Sequence, residues 1–172
     1  MTTTIQTPAE FLTHVVDPDL AAFASSVQLR LAYHACNSLF ALRDWVYETH
    51  KGKVWSFQGT QFQAISGKTK FLADLRTIEA DFEIVADIAN ASKHMVLDSG
   101  RRLTSLYGSA NVHIHTSGGS GLLGFGAIGA GAIGSVPTTS VFVQIGTGFH
   151  DVQQCANKVH AVWKQLFSEN GW

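Results

Sequence analysis

The stretch Leu20-Ala-Ala-Phe-Ala-Ser-Ser-Val-Gln-Leu-Arg-Leu-Ala-Tyr-His-Ala-Cys-Asn-Ser-Leu-Phe-Ala-Leu-Arg-Asp-Trp-Val46 decides the fold. Its apolar positions are Leu20, Ala24, Val27, Leu31, Ala35, Leu39, Leu42 and Val46. Steps of three and four place them on one helical face. The pattern predicts one long helix over Pro18–His50, ended by Lys51-Gly52, with Ser25-Ser26 as the point where it would bend. Phe23, Phe40 and Trp45 widen the stripe. A helix of that length is the spine of a bundle.

Upstream, Thr7-Pro-Ala-Glu10 has the residues of a capping box with proline at the first helical position, opening a short helix that ends near Val16. Asp17-Pro18 starts the next. Downstream, Trp55, Phe57, Phe62 and Ile65 lie among Gly, Ser and Gln, which predicts a packed loop with a helical turn after Thr60. Phe71, Leu72 and Leu75 resume a helical pattern, and Phe82, Val85, Ile88 and Ala89 carry a helix over Asp81–Leu97. Asp151, with Gln154 three residues later, caps a last helix whose stripe includes Val152, Cys155, Val159, Trp163 and Leu166, and Asn170-Gly171 ends it.

Between these helices, Leu103–His150 contains no Asp, Glu, Lys or Arg, although charged residues make up 15% of the chain. Asn111–Thr116 alternates, with Val112 and Ile114 on the core side and His113 and His115 opposite. Thr139–Ile145 alternates again, with Val141, Val143 and Ile145 inward. The two strands predict an antiparallel ribbon. Its connection is long for a hairpin and holds the apolar run Gly121–Val136, with the near-repeat Gly126-Ala-Ile-Gly-Ala130 and Gly131-Ala-Ile-Gly-Ser135. Ordering so many glycines is entropically costly, which favours a compensating contact.

The expected fold is therefore α+β: a mainly helical bundle, a two-stranded antiparallel β-ribbon with a long Gly-rich connection, and a C-terminal helix. The 172 residues are read as a single domain, with a helical body over 8–100, a β-ribbon arm over 103–148 and a closing helix over 151–168. Trp163 and Phe167 are expected in the core with Phe23, Leu31, Leu39, Phe82, Val85 and Ile88.

A hydrophobic fraction of 45% describes a folded chain, and a net charge of −1 supplies no overall field toward nucleic acid or anionic membrane. Cys36 and Cys155 read as buried small hydrophobes in a reducing compartment. The N-terminal residues lack the pattern of a signal peptide, and no apolar run is long enough to span a bilayer; the expected location is cytoplasmic.

Chemistry is sparse. Ser66-Gly-Lys-Thr69 ends like a phosphate-binding loop, but Phe62 occupies the place of its first glycine and no apolar strand precedes it. His113 and His115 are weak candidates for a metal site that would need a third ligand, His150 being nearest, so no metal and no cofactor is expected. Arg43 and His50 are seven apart and share a helix face. Asn90, Lys93 and His94 lie on another helix, and if the two helices pack these five residues could surround a phosphodiester. The histidine would move protons while the cations stabilise phosphoryl charge.

Arg43-Asp-Trp-Val-Tyr-Glu-Thr-His50 resembles the Arg, polar residue, spacer, His motif of the HEPN superfamily, whose members are small helical domains, often dimeric and in many cases metal-independent ribonucleases. The resemblance covers at most residues 18–97. It implies that Arg43 and His50 are a catalytic pair completed across a dimer, with Asp44 as the polar second residue and RNA as substrate. The motif here stands on an early helix, and the strand-glycine-strand segment is not part of that family's pattern.

The first expectation is different: a self-assembling or partner-binding protein that uses the charge-free arm as its contact surface. Gly121, Leu122, Leu123, Phe125, Ile128, Ile133 and Val136 would make the contact, to a second copy or to another protein. A third reading, membrane interaction through the same run, has less support, because that run lacks the Lys or Arg face that finds anionic lipid.

Overall fold

The computed structural model describes residues 4–92, 112–117, 138–145 and 148–172. Helix α1 (Pro8–Phe11) begins at the capping box read from the sequence. The Thr7 hydroxyl accepts from the Glu10 N–H at 3.2 Å, and the Glu10 carboxylate accepts from the N–H groups of Gln6 and Thr7. The helix does not stop near Val16 but passes through a π-helical turn (Leu12–Val16) into α2 (Asp17–Ser25). The Asp17 N–H donates to the carbonyl of Leu12, five residues back. Pro18 has no N–H for an ordinary helical bond, and its ring would press on the carbonyl one turn earlier. The wider turn accommodates both.

The long helix expected over Pro18–His50 is two helices. Ser26 and Gln28 are extended, with φ of −147° and −127°, and α3 (Leu29–His50) starts afresh. At the break, the Ser25 hydroxyl donates to the carbonyl of Ala22 at 2.9 Å, and the Gln28 amide donates to the Ser26 hydroxyl at 2.9 Å. Such local bonds compete with the helical ladder, so the bend expected at Ser25-Ser26 becomes a full interruption. The break also resets the phase. Leu20 and Phe23 are buried in α2 while Ala24 is exposed, and α3 buries Ala32, Ala35, Cys36, Leu39, Leu42, Val46 and His50, leaving Leu31 only half-buried.

The segment after α3 is not a packed loop with a helical turn. It is a hairpin of β1 (Trp55–Phe57) and β2 (Thr60–Phe62), joined by Gln58 (φ +49°) and Gly59 (φ +77°). Two successive positive φ values form the tight turn whose twist matches paired strands. Trp55 and Phe62 face each other in register and stack at 4.2 Å between ring centroids. Helix α4 (Lys68–Ile78) buries Phe71, Leu72 and Leu75. In α5 (Asp81–Ala91), nine of the eleven residues are buried, as befits a helix enclosed by others. The part of that helix expected over 93–97 lies outside the described residues.

The arm is a sheet of three strands, not two. β3 (Val112–Ser117) pairs antiparallel with β4 (Thr138–Ile145), with Val112 opposite Val143 and Ile114 opposite Val141. β4 in turn pairs with β5 (Gly148–Asp151), a strand beyond the two expected from the alternating pattern. Val112, Val141 and Val143 are buried, but Ile114 is 50% exposed. Val112 and Ile114 share the outer strand and one of its faces, so burial falls off along β3 from Val112 to Ile114.

Helix α6 (Val152–Asn170) is capped by Asp151, whose carboxylate accepts from the Gln154 N–H at 3.0 Å, and it ends at left-handed Gly171. Trp163 lies at the centre of the core, fully buried and edge-on to Phe82 at 5.5 Å. Phe23, Leu39, Val85, Ile88 and Phe167 join it, as expected. Asn170 ties α6 to the hairpin: its side chain accepts from the Ser56 N–H at 2.8 Å and donates to the Ser56 carbonyl at 2.9 Å. No described helix is long and apolar enough to cross a membrane.

Candidate functional site

The C-terminal half of α3 carries the chemistry read from the sequence. Arg43 is held by its neighbour: Nε and Nη2 donate to one carboxylate oxygen of Asp44 at 3.0 and 2.7 Å, and the guanidinium lies 4.1 Å from the Phe40 ring centroid. Its side chain is only 13% exposed. From α4, Lys68 approaches Asp44 at 3.7 Å and Glu48 at 3.3 Å, and Lys51 reaches Glu48 at 3.4 Å. The Lys68 hydrogen bond above all, against an opposing desolvation and with help from Lys51, holds the Glu48 carboxyl below its ordinary range. The result is a ladder of alternating charge along one side of the helix.

His50 is the last residue of α3 and is 8% exposed. Trp172 stacks on its ring at 5.1 Å and 19°, and the Lys53 ammonium lies 3.4 Å from Nδ1. Nε2 is buried and has no hydrogen-bond partner among the described residues. Burial first, and the Lys53 charge second, lower the imidazole pKa below its ordinary value of 6.5. The ring is therefore neutral at pH 7. An ammonium can only donate, so the Lys53 contact assigns the ring proton to Nε2.

Arg43 and His50 share the helix face as expected, about 10 Å apart along the axis. Their described partners are separate: Asp44 and Phe40 for the arginine, Lys53 and Trp172 for the histidine. The end of α5 meets α3 at a different level. The Asn37 amide donates to the Ser92 hydroxyl at 2.9 Å, thirteen residues before His50 and about 20 Å from it along α3. Asn90, two residues before Ser92, belongs to that level. Lys93 and His94 lie outside the described residues.

His113 and His115 occupy β3 opposite Phe142 and Ser140. Among the described residues, no group of three or more His, Cys, Asp or Glu could hold a metal ion. Gly121, Leu122, Leu123, Phe125, Ile128, Ile133 and Val136 lie outside the described residues. The described strands on either side of that run have one notable property. Ile114 at 50% exposure and Phe149 at 64% are large apolar side chains left in solvent. In register, Ile114 shares a sheet face with Val141 and Val143, while Phe149 opposes Gln144 on the other face.

Two ion-paired clusters carried no sequence signal. Asp81, at the start of α5, is ion-paired with Lys158 of α6 at 3.0 Å and lies beside the Cys155 thiol. Burial and the nearby Asp81 charge push that thiol up to about 12, and burial also raises Cys36; both cysteines are free and chemically quiet. Asp17 pairs with His160 at 2.5 Å and Lys164 at 3.7 Å, joining α2 to α6. These pairings depend on which helices become neighbours, and residue spacing along one helix does not encode that. Compared with known proteins, the chain matches no family model, no curated protein and no solved structure.

Proposed function

We propose that this protein is an assembly protein that binds a second copy of itself through its β-sheet arm. The observation that carries the reading is the pair Ile114 and Phe149, two large apolar side chains exposed on opposite faces of one small sheet. Exposed apolar surface beside an open strand edge is the usual signature of strand addition. Among the described residues, β3 pairs with β4 on one side and with no strand on the other. Antiparallel pairing of that edge with its own copy closes under two-fold symmetry. A net charge of −1 imposes little repulsion between copies. In this reading the charge-free run Gly121–Val136 supplies the rest of the contact.

Light scattering coupled to sizing chromatography tests it on the wild type, on the double substitution Ile114→Thr and Phe149→Ser, and on a deletion of residues 121–136. The wild type should elute heavier than a monomer and both variants should shift toward monomer. A monomeric wild type ends the reading, and so does an oligomer that neither change affects.

A second reading rests on His50. A neutral, buried imidazole whose Nε2 has no partner among the described residues, two turns from Arg43 on the same face, suits proton transfer in metal-independent RNA cleavage of the HEPN type. Cleavage of RNA in EDTA, lost in His50→Ala, is its expected result. Equal or absent cleavage by the two proteins rejects it.

A further inference from the structure

A second site lies on the other side of α3. Where the π-helical turn runs into α2, the chain stands off α3 and leaves an open, mainly apolar cleft of about 350 Å³. Phe11 and Val15 supply an apolar wall, Asp19 lines the α2 side, and His34, Asn37 and Ser38 line the α3 side. The Phe11 ring is fixed by stacking on Trp45 at 5.0 Å. π-helical turns interrupt helices at functional sites more often than elsewhere, and this one sets the position of Val15 in the cleft wall.

In this cleft His34 can both donate and accept hydrogen bonds, while Asp19 supplies a carboxylate that only accepts. Asp19 is half-buried and makes no ion pair among the described residues, whereas Asp17, two residues earlier and on the opposite side of α2, is paired with His160 and Lys164. Ser92 has a single hydroxyl proton. It is 2.7 Å from the Ala89 carbonyl and 3.3 Å from Asn37 Oδ1, so the shorter bond takes the proton and Oδ1 keeps its acceptor capacity. The Asn37 amide nitrogen is meanwhile committed to Ser92 at 2.9 Å, which fixes Oδ1 in place. Ser38 donates its proton to the Ala35 carbonyl at 3.1 Å, leaving only oxygen lone pairs to offer. A carboxylate without an ion pair among the described residues, beside an aromatic and apolar wall, complements a ligand that is positively charged and apolar in its body.

We propose that this cleft binds a small organic monocation, a primary ammonium on an alkyl or arylalkyl body, with Asp19 taking the charge and Phe11 and Val15 the body. The site is independent of the β-sheet arm and of Arg43 and His50.

Amide chemical-shift titration of the full chain with phenethylammonium at pH 7.5 tests this, with 2-phenylethanol and 3-phenylpropionate as the neutral and anionic controls. Saturable shifts at Phe11, Val15, Asp19 and Ala41 are expected with the ammonium, and binding about tenfold weaker or worse with both controls. Asp19→Asn should weaken the ammonium about tenfold and Asp19→Glu should restore most of it. Ala41→Phe, which fills the cleft, should abolish the shifts while the far-UV spectrum stays that of the wild type. No saturable shift, equal binding of the alcohol or the carboxylate, or unchanged affinity in Asp19→Asn overturns the proposal.

Discussion

Replacing Asn170 by alanine tests the join between α6 and the β1–β2 hairpin. The Asn170 side chain makes three hydrogen bonds: it accepts from the Ser56 N–H at 2.8 Å and donates to the carbonyls of Ser56 at 2.9 Å and Leu166 at 2.8 Å. It thereby acts as a short piece of strand along the open edge of β1. Each bond contributes about 1 kcal/mol net, and a partly buried group left without a partner costs about the same again. Ser56 and Asn170 are half-buried, so water replaces part of what is lost. Alanine is a better helix former than asparagine by about half a kcal/mol at a helix end. The expected loss is therefore about 2 kcal/mol, measured as a lower urea midpoint with an unchanged m-value. Fluorescence should report the hairpin specifically, because Trp55 in β1 packs against Phe62, Phe71 and Trp172. A loss under about 0.5 kcal/mol would refute the reasoning, since surface substitutions with no structural role fall in that range.

Three further outcomes follow from the same physical picture. The pKa of His50 is lowered in the folded state, so the unfolded chain binds the proton more readily. Its contribution is fully present above about pH 6.5 and is lost as pH falls through the lower folded value; between pH 7.5 and 5 the wild type should lose more stability than His50→Gln in urea titrations. Parallel curves for the two proteins would remove His50 as the cause. Gly59→Ala meets no atom within 4 Å but places a side chain at φ +77°, so calorimetry should show a cost of about 1 kcal/mol of purely backbone origin. Asp151→Ala removes the N-cap of α6 and should cost about 1 kcal/mol, whereas Asp151→Asn, which can still accept from the Gln154 N–H, should cost much less in the same thermal melts.

The caps were the most legible part of the chain. Thr7 with Glu10, Asp151 with Gln154, and Gly171 at the end of α6 all act within a few residues of their own position, so the local sequence carries the whole cause. Periodicity was as informative about burial within a helix: Leu39, Val85, Ile88 and Trp163 are in the core where their spacing put them. It was blind to phase across a break. The apolar pattern runs on through Ser26–Gln28, yet side-chain bonds at Ser25 and Gln28 divide it, and Ala24 and Leu31 do not take the buried positions that one continuous helix would give them.

What the sequence determined by itself was the inventory: helices of a given face, a charge-free span with alternating strands, and a motif with Arg43 and His50 on one side of a helix. Tertiary structure decided who meets whom. β5 exists because β4 offers it an edge, and along one face of β3 Val112 is buried while Ile114 stands half exposed. Asn37 meets Ser92 because α5 crosses α3 at that level, and His50 is covered because Trp172 returns to it from the far end of the chain. Local propensity and capping act over one turn of helix or one pair of residues. Burial and hydrogen-bond pairing act over whatever distance the packing brings together, and no spacing in the chain records it.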